Sequence, residues 1–239
     1  MTDDTRVLFE QRRRRGRWSR WRWALISVLV VALAGGLGWL VYFSSVLAVA
    51  DVEVQGTSVL AVDEVRAVAG VPEGRPLARV DLDAIERRVE SMSAVRDAEV
   101  SRAWPDGIRI EVDERVAIAV VSTDDRFRAL DAEGVTFRDL DAPPDDLPLV
   151  ELGEEAGSEA VLEASRVVAA MPQRTAARVA SISVASVDEI TLELRDGATV
   201  LWGSASDSDD KAEVLDVLLA QGLEVSEYDV SVPGRPTTR

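Results

Sequence analysis

The sequence predicts one membrane-spanning helix near the N-terminus, followed by an α+β part built from two small domains. Three observations lead to this fold class. An uncharged apolar run covers residues 23–43, short segments with alternating or helical apolar periodicity follow it, and turn residues separate those segments. At 239 residues, the chain is long enough for one anchor and one or two packed domains.

The charge of the chain is divided between a basic N-terminus and an acidic body. Eight arginines against three acids give residues 1–22 a local charge of +5, which leaves −21 for the rest of a chain whose net charge is −16. Because so acidic a body repels phosphate, no nucleic acid partner is expected. A basic run beside an apolar segment indicates a membrane role instead.

The composition excludes much of enzyme chemistry. The chain has no cysteine and no histidine, which removes disulfides, thiolate nucleophiles, imidazole catalysis and the usual zinc and haem ligands. The pairs Asp145–Asp146 and Asp209–Asp210 could act as acids and bases, but among 43 acidic residues such pairs are expected in solvated loops. No nucleophile motif or phosphate-binding loop accompanies them. We therefore expect no catalytic residue, metal, cofactor or small-molecule substrate.

Residues 23–43 form the predicted anchor. As a helix, this run spans roughly 31 Å, which matches the hydrocarbon core of a bilayer. Trp23 at one end and Trp39 and Tyr42 at the other are typical of the headgroup level. Because arginines precede the run and acids follow it, residues 1–22 are expected as a basic cytoplasmic tail and the body outside. The chain is thus predicted to be a single-pass type II protein of the cell membrane, in contact with lipid.

A cleavable signal peptide is the alternative for the same segment. The residues Ala48-Val49-Ala50 have the small-x-small pattern of a signal peptidase site, and cleavage after Ala50 would give a secreted binding protein. The apolar region of a cleavable signal usually covers about 7 to 15 residues, however, and this one is longer. The sequence therefore favours retention as an anchor.

Residues 47–116 predict a compact module with the order β-α-α-β-β. The stretch 49–54 alternates as a half-buried strand does. A helix over 62–69 stops at Gly70, and a second helix opens at Asp81, a favourable N-cap residue.

Two further strands complete this module, over 95–104 and 108–112. The turn Pro105-Asp106-Gly107 joins them. Apolar residues at 108, 110 and 112 alternate with charged ones, so one face of the hairpin is expected to pack on the helices.

The order of these elements resembles the POTRA domain. The residues that carry a closer resemblance are Val95-x-x-Ala98-x-Val100-x-Arg102-x-Trp104-Pro105, then Ile108-x-Ile110-x-Val112-x-Glu114-Arg115. This pattern is similar to that of the FtsQ/DivIB cell division family. The closing segment 228–236 resembles that of family members from high-G+C bacteria.

Residues 117–232 predict a β-rich second domain that agrees with this family. A hairpin around 131–134 opens the domain, and an amphipathic helix over 211–221 precedes the final strand. Between them the patterns predict strands near 147–150, 182–184, 190–194 and 198–202 and a helix over 158–171. Residues 233–239 are expected as a flexible C-terminal tail.

The segment 223–232 is the candidate partner-binding site. Its apolar residues alternate from position 228 onward, and Pro233, which cannot donate to a ladder, places the strand at a sheet edge. Such an edge accepts a partner strand by β-augmentation. Ordinary core positions are the commoner role of alternating apolar residues, and both roles stay open here. The candidate binding residues are Val225, Tyr228, Val230 and Val232.

The resemblance implies a divisome scaffold rather than an enzyme. It also implies binding to FtsB, FtsL and other division proteins at the division septum, and help in controlling septal peptidoglycan synthesis. A secreted or anchored binding protein of another POTRA-containing class is the alternative. POTRA proteins of outer-membrane assembly carry repeated units or a β-barrel, and the sequence shows neither pattern.

Overall fold

In the computed structural model, the described residues are 4–123, 126–153, 158–222 and 225–239, with side chains from residue 21 onward apart from that of residue 158. These residues fall into two compact units. The first comprises residues 1–91 and 97–112, and the second comprises residues 92–96 and 113–239.

The N-terminal helix α1 runs from Asp4 to Phe43. Its part Trp21–Phe43 is long and apolar enough to cross a membrane, and its side chains lie on the surface of the protein. The predicted anchor, 23–43, lies within this span and shares its C-terminal end. A turn of 3₁₀ helix over Ser45–Leu47 follows, and the Ser44 hydroxyl accepts a hydrogen bond from the Val46 amide at 3.1 Å.

The first sheet and its helices confirm the predicted β-α-α-β-β order. The elements are β1 (Asp51–Gln55), α2 (Val62–Ala69), α3 (Leu82–Glu90), β2 (Val95–Ala103) and β3 (Gly107–Glu114). The sheet has the order β1-β3-β2, and β1 pairs with β3 in parallel.

Local contacts explain where the two helices begin and end. The Asp81 carboxylate accepts a hydrogen bond from the Ala84 amide at 3.1 Å, which caps the N-terminus of α3. Helix α2 ends at Gly70, whose φ of 53° lies in the left-handed region. The Arg88 guanidinium donates to the Ala69 carbonyl at 2.6 and 2.9 Å and thereby ties the end of α2 to α3. The buried apolar side chains of this unit include Val65, Leu77, Ile85, Val89, Ile108 and Ile110.

The second unit is built on one long mixed sheet. Its strand order is β12-β11-β10-β9-β8-β7-β4-β5-β6. The strands are β4 (Ala119–Thr123), β5 (Arg126–Leu130), β6 (Thr136–Leu140), β7 (Leu149–Leu152), β8 (Val179–Ser186), β9 (Glu189–Leu194), β10 (Thr199–Gly203), β11 (Glu227–Asp229) and β12 (Thr237–Thr238). Helices α4 (Ser158–Ala170), α5 (Gln173–Ala176) and α6 (Ser208–Ala220) accompany them.

The core of this unit lies between the sheet and two of its helices. Helices α4 and α6 contact each other, and α4 also contacts β4, β7 and β8. The cluster extends from Ala119 in β4 to Val230 after β11, and Trp202 is the largest fully buried side chain described in it. Burial of alternate residues in β8, β9 and β10 matches the apolar alternation from which those strands are predicted.

The structure differs from the sequence predictions at several places in this unit, and the short helix α5 is one element that is not predicted. Strand β4 is not predicted, because Ala119, Val120 and Val121 are all buried and therefore do not alternate with polar residues. Helix α6 begins at Ser208 rather than at 211, so it includes Asp209 and Asp210, which the sequence analysis expects in a solvated loop. The sequence also predicts a flexible tail over 233–239, whereas the structure folds this segment back into β12.

Candidate functional site

One end of the long sheet is formed by β10, β11 and β12. Helix α6 connects β10 to β11 along the chain. After α6 the chain returns to the sheet as β11, which pairs in parallel with β10. In that register Tyr228 lies beside Val200 and Asp229 beside Leu201. The amide of Val230 donates to the Leu201 carbonyl at 3.0 Å, which carries the pairing past the end of β11. One edge of β11 is thus occupied by β10.

The other edge of β11 is occupied by the chain's own C-terminal segment. Strand β12 runs antiparallel to β11, with Thr238 beside Tyr228 and Thr237 beside Asp229. The Arg239 carbonyl accepts hydrogen bonds from the amides of Ser226 at 2.8 Å and Glu227 at 3.1 Å, and the Arg239 amide donates to the Glu227 carbonyl at 3.0 Å. The edge that the sequence predicts to be open at Pro233 is therefore covered.

Strand β12 covers the edge of β11 with only two residues. It consists of two threonines, both exposed, and its ion pair between Arg239 and Glu227 is long at 3.6 Å. Exposed ion pairs of this kind contribute little to stability. Few apolar contacts therefore hold this strand, and its attachment rests on main-chain hydrogen bonds.

The four candidate binding residues differ in how far their side chains are exposed. Tyr228 is 3% exposed and Val230 is fully buried, so both belong to the core. Val225 is half-buried and packs against that core. Val232 is 58% exposed and begins the turn that follows β11, where its carbonyl accepts from the Arg235 amide at 2.9 Å. Of the four, Val232 has the exposure that direct contact with a partner requires.

The loop before α6 is held by buried polar contacts next to this edge. The Trp202 indole donates to the Ser208 hydroxyl at 3.1 Å, which in turn donates to the Ala205 carbonyl at 2.9 Å. The Lys211 ammonium is buried, donates to the Ser204 carbonyl at 2.8 Å, and has its pKa lowered by that burial. These contacts fix the loop and the start of α6 together.

Helix α6 is also tied to the short helix α5. The Arg174 guanidinium donates to both carboxylate oxygens of Asp216, at 2.8 Å to Oδ1, and the Thr175 hydroxyl donates to Oδ1 at 2.7 Å. The Arg174 bonds, followed by that of Thr175, lower the pKa of Asp216 to about 2. The carboxylate is therefore charged at any physiological pH.

The three predicted anchor residues lie on the surface of α1. Trp23, Trp39 and Tyr42 are exposed and fall within the span Trp21–Phe43. Aromatic residues at the ends of such a span are typical of the membrane interface.

A buried carboxylate outside this edge, that of Asp131, was not predicted. The Asp131 carboxylate is buried, accepts hydrogen bonds from the amides of Glu133 at 3.0 Å and Val135 at 2.7 Å, and pairs with Arg115. It organises the β5–β6 turn, and the sequence signal that could have found it is the Asp at the start of a turn ending in Gly134. This role is structural.

The chemistry offered by the site is main-chain hydrogen bonding. Across the part of the chain that the structure describes, no group of three or more acidic side chains is placed to hold a metal ion. The fold and the site together define a protein with a candidate membrane helix, an α+β module, and a β-rich domain that ends in an edge strand.

Comparison with known proteins identifies the family. The family model "POTRA domain, FtsQ-type" matches residues 47–115, and "Cell division protein FtsQ/DivIB, C-terminal" matches residues 119–231. The cell division protein FtsQ of Streptomyces bingchenggensis is 38% identical to this chain, over 94% of this chain and 88% of the relative. FtsQ of Mycobacteroides abscessus is 33% identical, over 90% of this chain and 69% of the relative.

A solved structure is also similar to part of the chain. The major extracytoplasmic domain of DivIB from Geobacillus stearothermophilus shares 20% identity with a TM-score of 0.39, covering 45% of this chain and 93% of that domain. The relatives and the matched family models show that the chain belongs to the FtsQ/DivIB cell division protein family. This is a family of non-enzymatic cell division scaffolds, and membership implies a role in division with protein partners.

Proposed function

We propose that this chain is a divisome scaffold that binds FtsB and FtsL at the division septum and thereby helps to control septal peptidoglycan synthesis. The observation that carries the proposal is the end of the long sheet, where β11 is covered by only the two-residue strand β12. A weakly held edge strand suits recognition through main-chain hydrogen bonds. The role is that of a scaffold without catalytic activity.

In this proposal a strand of FtsB pairs with β11 in the place of β12. The buried side chains of Tyr228 and Val230 stay in the core, where they keep β11 in position. The exposed Val232 supplies an apolar contact beyond the strand. A partner strand longer than two residues would form more ladder bonds than β12 does, which favours the exchange.

Substitution of Val232 tests the side-chain contact. We expect Val232→Asp to weaken FtsB binding by about tenfold, since a buried carboxylate without a partner is costly, and tenfold corresponds to about 1.4 kcal/mol. The measurement is the Kd of the purified full-length chain, in detergent, for the extracytoplasmic part of FtsB. Val217→Asp on α6 is the matched control, because Val217 is 54% exposed and undergoes the same change. Equal Kd values for the two variants would contradict the docking role.

Removal of β12 tests the exchange. A variant that ends at Arg235 lacks the covering strand, so its edge is open before FtsB arrives. If the open state is populated at about a tenth in the intact chain, the truncated chain binds FtsB about tenfold more tightly. A truncated chain with an unchanged melting temperature and weaker binding would show that FtsB extends β12 instead.

We also propose that the chain is retained in the membrane with residues 1–22 in the cytoplasm and residues from 44 onward outside. The residues of the possible cleavage site are folded into the first unit, which supports this. Ala48 and Val49 are buried, the Val49 amide donates to the Arg75 carbonyl at 2.9 Å, and the Gly74 amide donates to the Val49 carbonyl at 2.9 Å. The intact mass of protein extracted from membranes tests retention. A soluble species that begins at Asp51 would instead support a secreted binding protein.

A further inference from the structure

The β2–β3 turn of the first unit lies close to the C-terminal end of α1. The Ala50 amide donates to the Asp106 carbonyl at 2.8 Å, and Asp51 pairs with Gly107 in the first position of the β1–β3 ladder. Only the 3₁₀ turn and its flanking residues separate Phe43 from Ala50 along the chain. The turn Trp104–Gly107 and the end of the candidate membrane span are therefore neighbours.

A second set of contacts holds the same two regions together. The 3₁₀ turn Leu77–Arg79 contacts α1, and the Arg79 guanidinium lies over the Phe43 ring, 5.2 Å from its centroid. The Arg102 guanidinium donates to the carbonyls of Leu77 and Val80, at 2.9 Å each. Since Trp104 is two residues beyond Arg102, it lies about 7 Å from it along the strand. Two sets of contacts thus connect the strand that leads to Trp104 with the end of α1.

This region exposes large apolar side chains. Trp104 is 54% exposed, Val46 is 73% exposed, and Phe43 and Pro105 are also exposed. An exposed indole suits the membrane interface, where one end of the ring meets hydrocarbon and the other meets water. We call Phe43, Val46, Trp104 and Pro105 the juxtamembrane face.

The charges near the juxtamembrane face do not favour anionic lipid. Arg75 and Arg79 are exposed beside it, but Asp51, Glu73 and Asp106 lie in the same region and are also exposed. Because acidic groups match or exceed basic ones, electrostatic attraction to an anionic surface is weak here. Any attraction of this face to a membrane therefore comes from its aromatic and apolar side chains.

We propose that the juxtamembrane face lies in the lipid headgroup layer on the side of the bilayer where α1 ends, so that the first unit rests on the membrane rather than being held away from it. The occupant of this face is lipid, because the face is continuous with the end of the candidate membrane span. This inference rests on the membrane anchoring proposed above. The Trp104–Pro105 tip acts as a second attachment point beside the helix.

Site-directed labelling of the full-length chain tests the proposal. The chain has no cysteine, so each single-cysteine variant carries one nitroxide label. Asp106→Cys reports on the tip with Trp104 intact. Val59→Cys is the matched control, an exposed site beyond the other end of β1, about 17 Å further along the strand direction. Leu33→Cys reports on insertion of α1. The proteins are reconstituted alone in phosphatidylcholine vesicles and in phosphatidylethanolamine/phosphatidylglycerol vesicles, and the accessibility of each label to oxygen and to a water-soluble nickel complex is measured.

We expect the label at Asp106→Cys to show the accessibility typical of the headgroup level in both lipid mixtures. The label at Val59→Cys should show the accessibility of a site in water. Adding Trp104→Ser to Asp106→Cys should move the first label to water without changing the label at Leu33→Cys. Equal, fully aqueous accessibility at positions 106 and 59, with position 33 in the hydrocarbon core, would overturn this inference and leave the anchor intact. An aqueous label at position 33 would overturn the anchor as well. A headgroup signal at 106 in the anionic vesicles alone would overturn the apolar basis of the contact.

Discussion

Arg102 and Arg115 show how residues of the family pattern act within the fold. The sequence places both in the pattern that resembles FtsQ/DivIB, but it gives neither a role. In the structure Arg102 donates to two carbonyls of the segment between α2 and α3, and Arg115 pairs with the buried Asp131. Such contacts join residues that are 16 to 25 positions apart, so no local periodicity reveals them. At the residue scale, the sequence identifies the residue types but not their partners.

Gly56 makes the most restrictive close approach described in the first unit. Its φ is 83°, and a Cβ built on it would lie 2.1 Å from the Val112 carbonyl oxygen. We expect Gly56→Ala to lower the free energy of unfolding by more than about 1 kcal/mol, because both the backbone conformation and the contact are unsuited to alanine. Urea unfolding followed by circular dichroism measures the loss.

Gly74→Ala provides the matched control for this substitution. Gly74 also has a positive φ, 73°, but nothing lies within 4 Å of its added Cβ. Its loss should reflect backbone strain alone and be smaller. If the two variants lose equal stability, the approach of β3 to Gly56 does not matter.

At the scale of elements, the strands and helices that could be predicted are those whose apolar residues recur with a regular spacing. Helix α2 was predicted at its observed bounds because its apolar face and Gly70 both mark it. Strand β4 has no alternation to detect, and β12 has two polar residues whose pairing depends on a reversal of the chain. The edge at β11 was therefore predictable from Pro233, but its cover was not.

The tie between α5 and α6 predicts a pH dependence of stability. The pKa of Asp216 is lowered from 3.8 to about 2 by Arg174 and Thr175. A carboxyl group whose pKa is lower in the folded state stabilises the fold above its unfolded pKa, and that contribution is lost as the pH falls from about 4 towards 2. We expect Asp216→Asn to be less stable than the parent chain at pH 7, with a difference that shrinks over this range. Urea midpoints at pH 7, 4 and 2.5 measure it.

A matched substitution distinguishes this contact from a general effect of charge. Asp209→Asn removes an exposed carboxylate from the first turn of the same helix. The loss of stability at pH 7 should be larger for Asp216→Asn than for Asp209→Asn, because Asp216 loses its contacts with Arg174 and Thr175. A constant difference for Asp216→Asn from pH 7 to 2.5 would rule out the ion pair as the cause.

At the scale of the whole molecule, the candidate membrane span contributes nothing to either core. None of the side chains in the most apolar stretch of Trp21–Phe43 is buried. The buried residues of both units lie after this span in the chain. We expect a chain that begins at Ser44 to fold, to remain in solution, and to keep the melting temperature of the detergent-solubilised full-length chain within a few degrees. Circular dichroism and size-exclusion chromatography test this. An aggregated or unfolded product would show that α1 supports the first unit.

The buried position of Lys211 determines how the complexes of this protein can be captured chemically. It is the only lysine in the sequence, and it is 2% exposed. Amine-reactive crosslinkers therefore have no accessible lysine side chain on this protein through which to capture its partners. With 43 acidic residues, the chain instead suits carbodiimide coupling, in which its carboxylates are joined to lysines supplied by the partner.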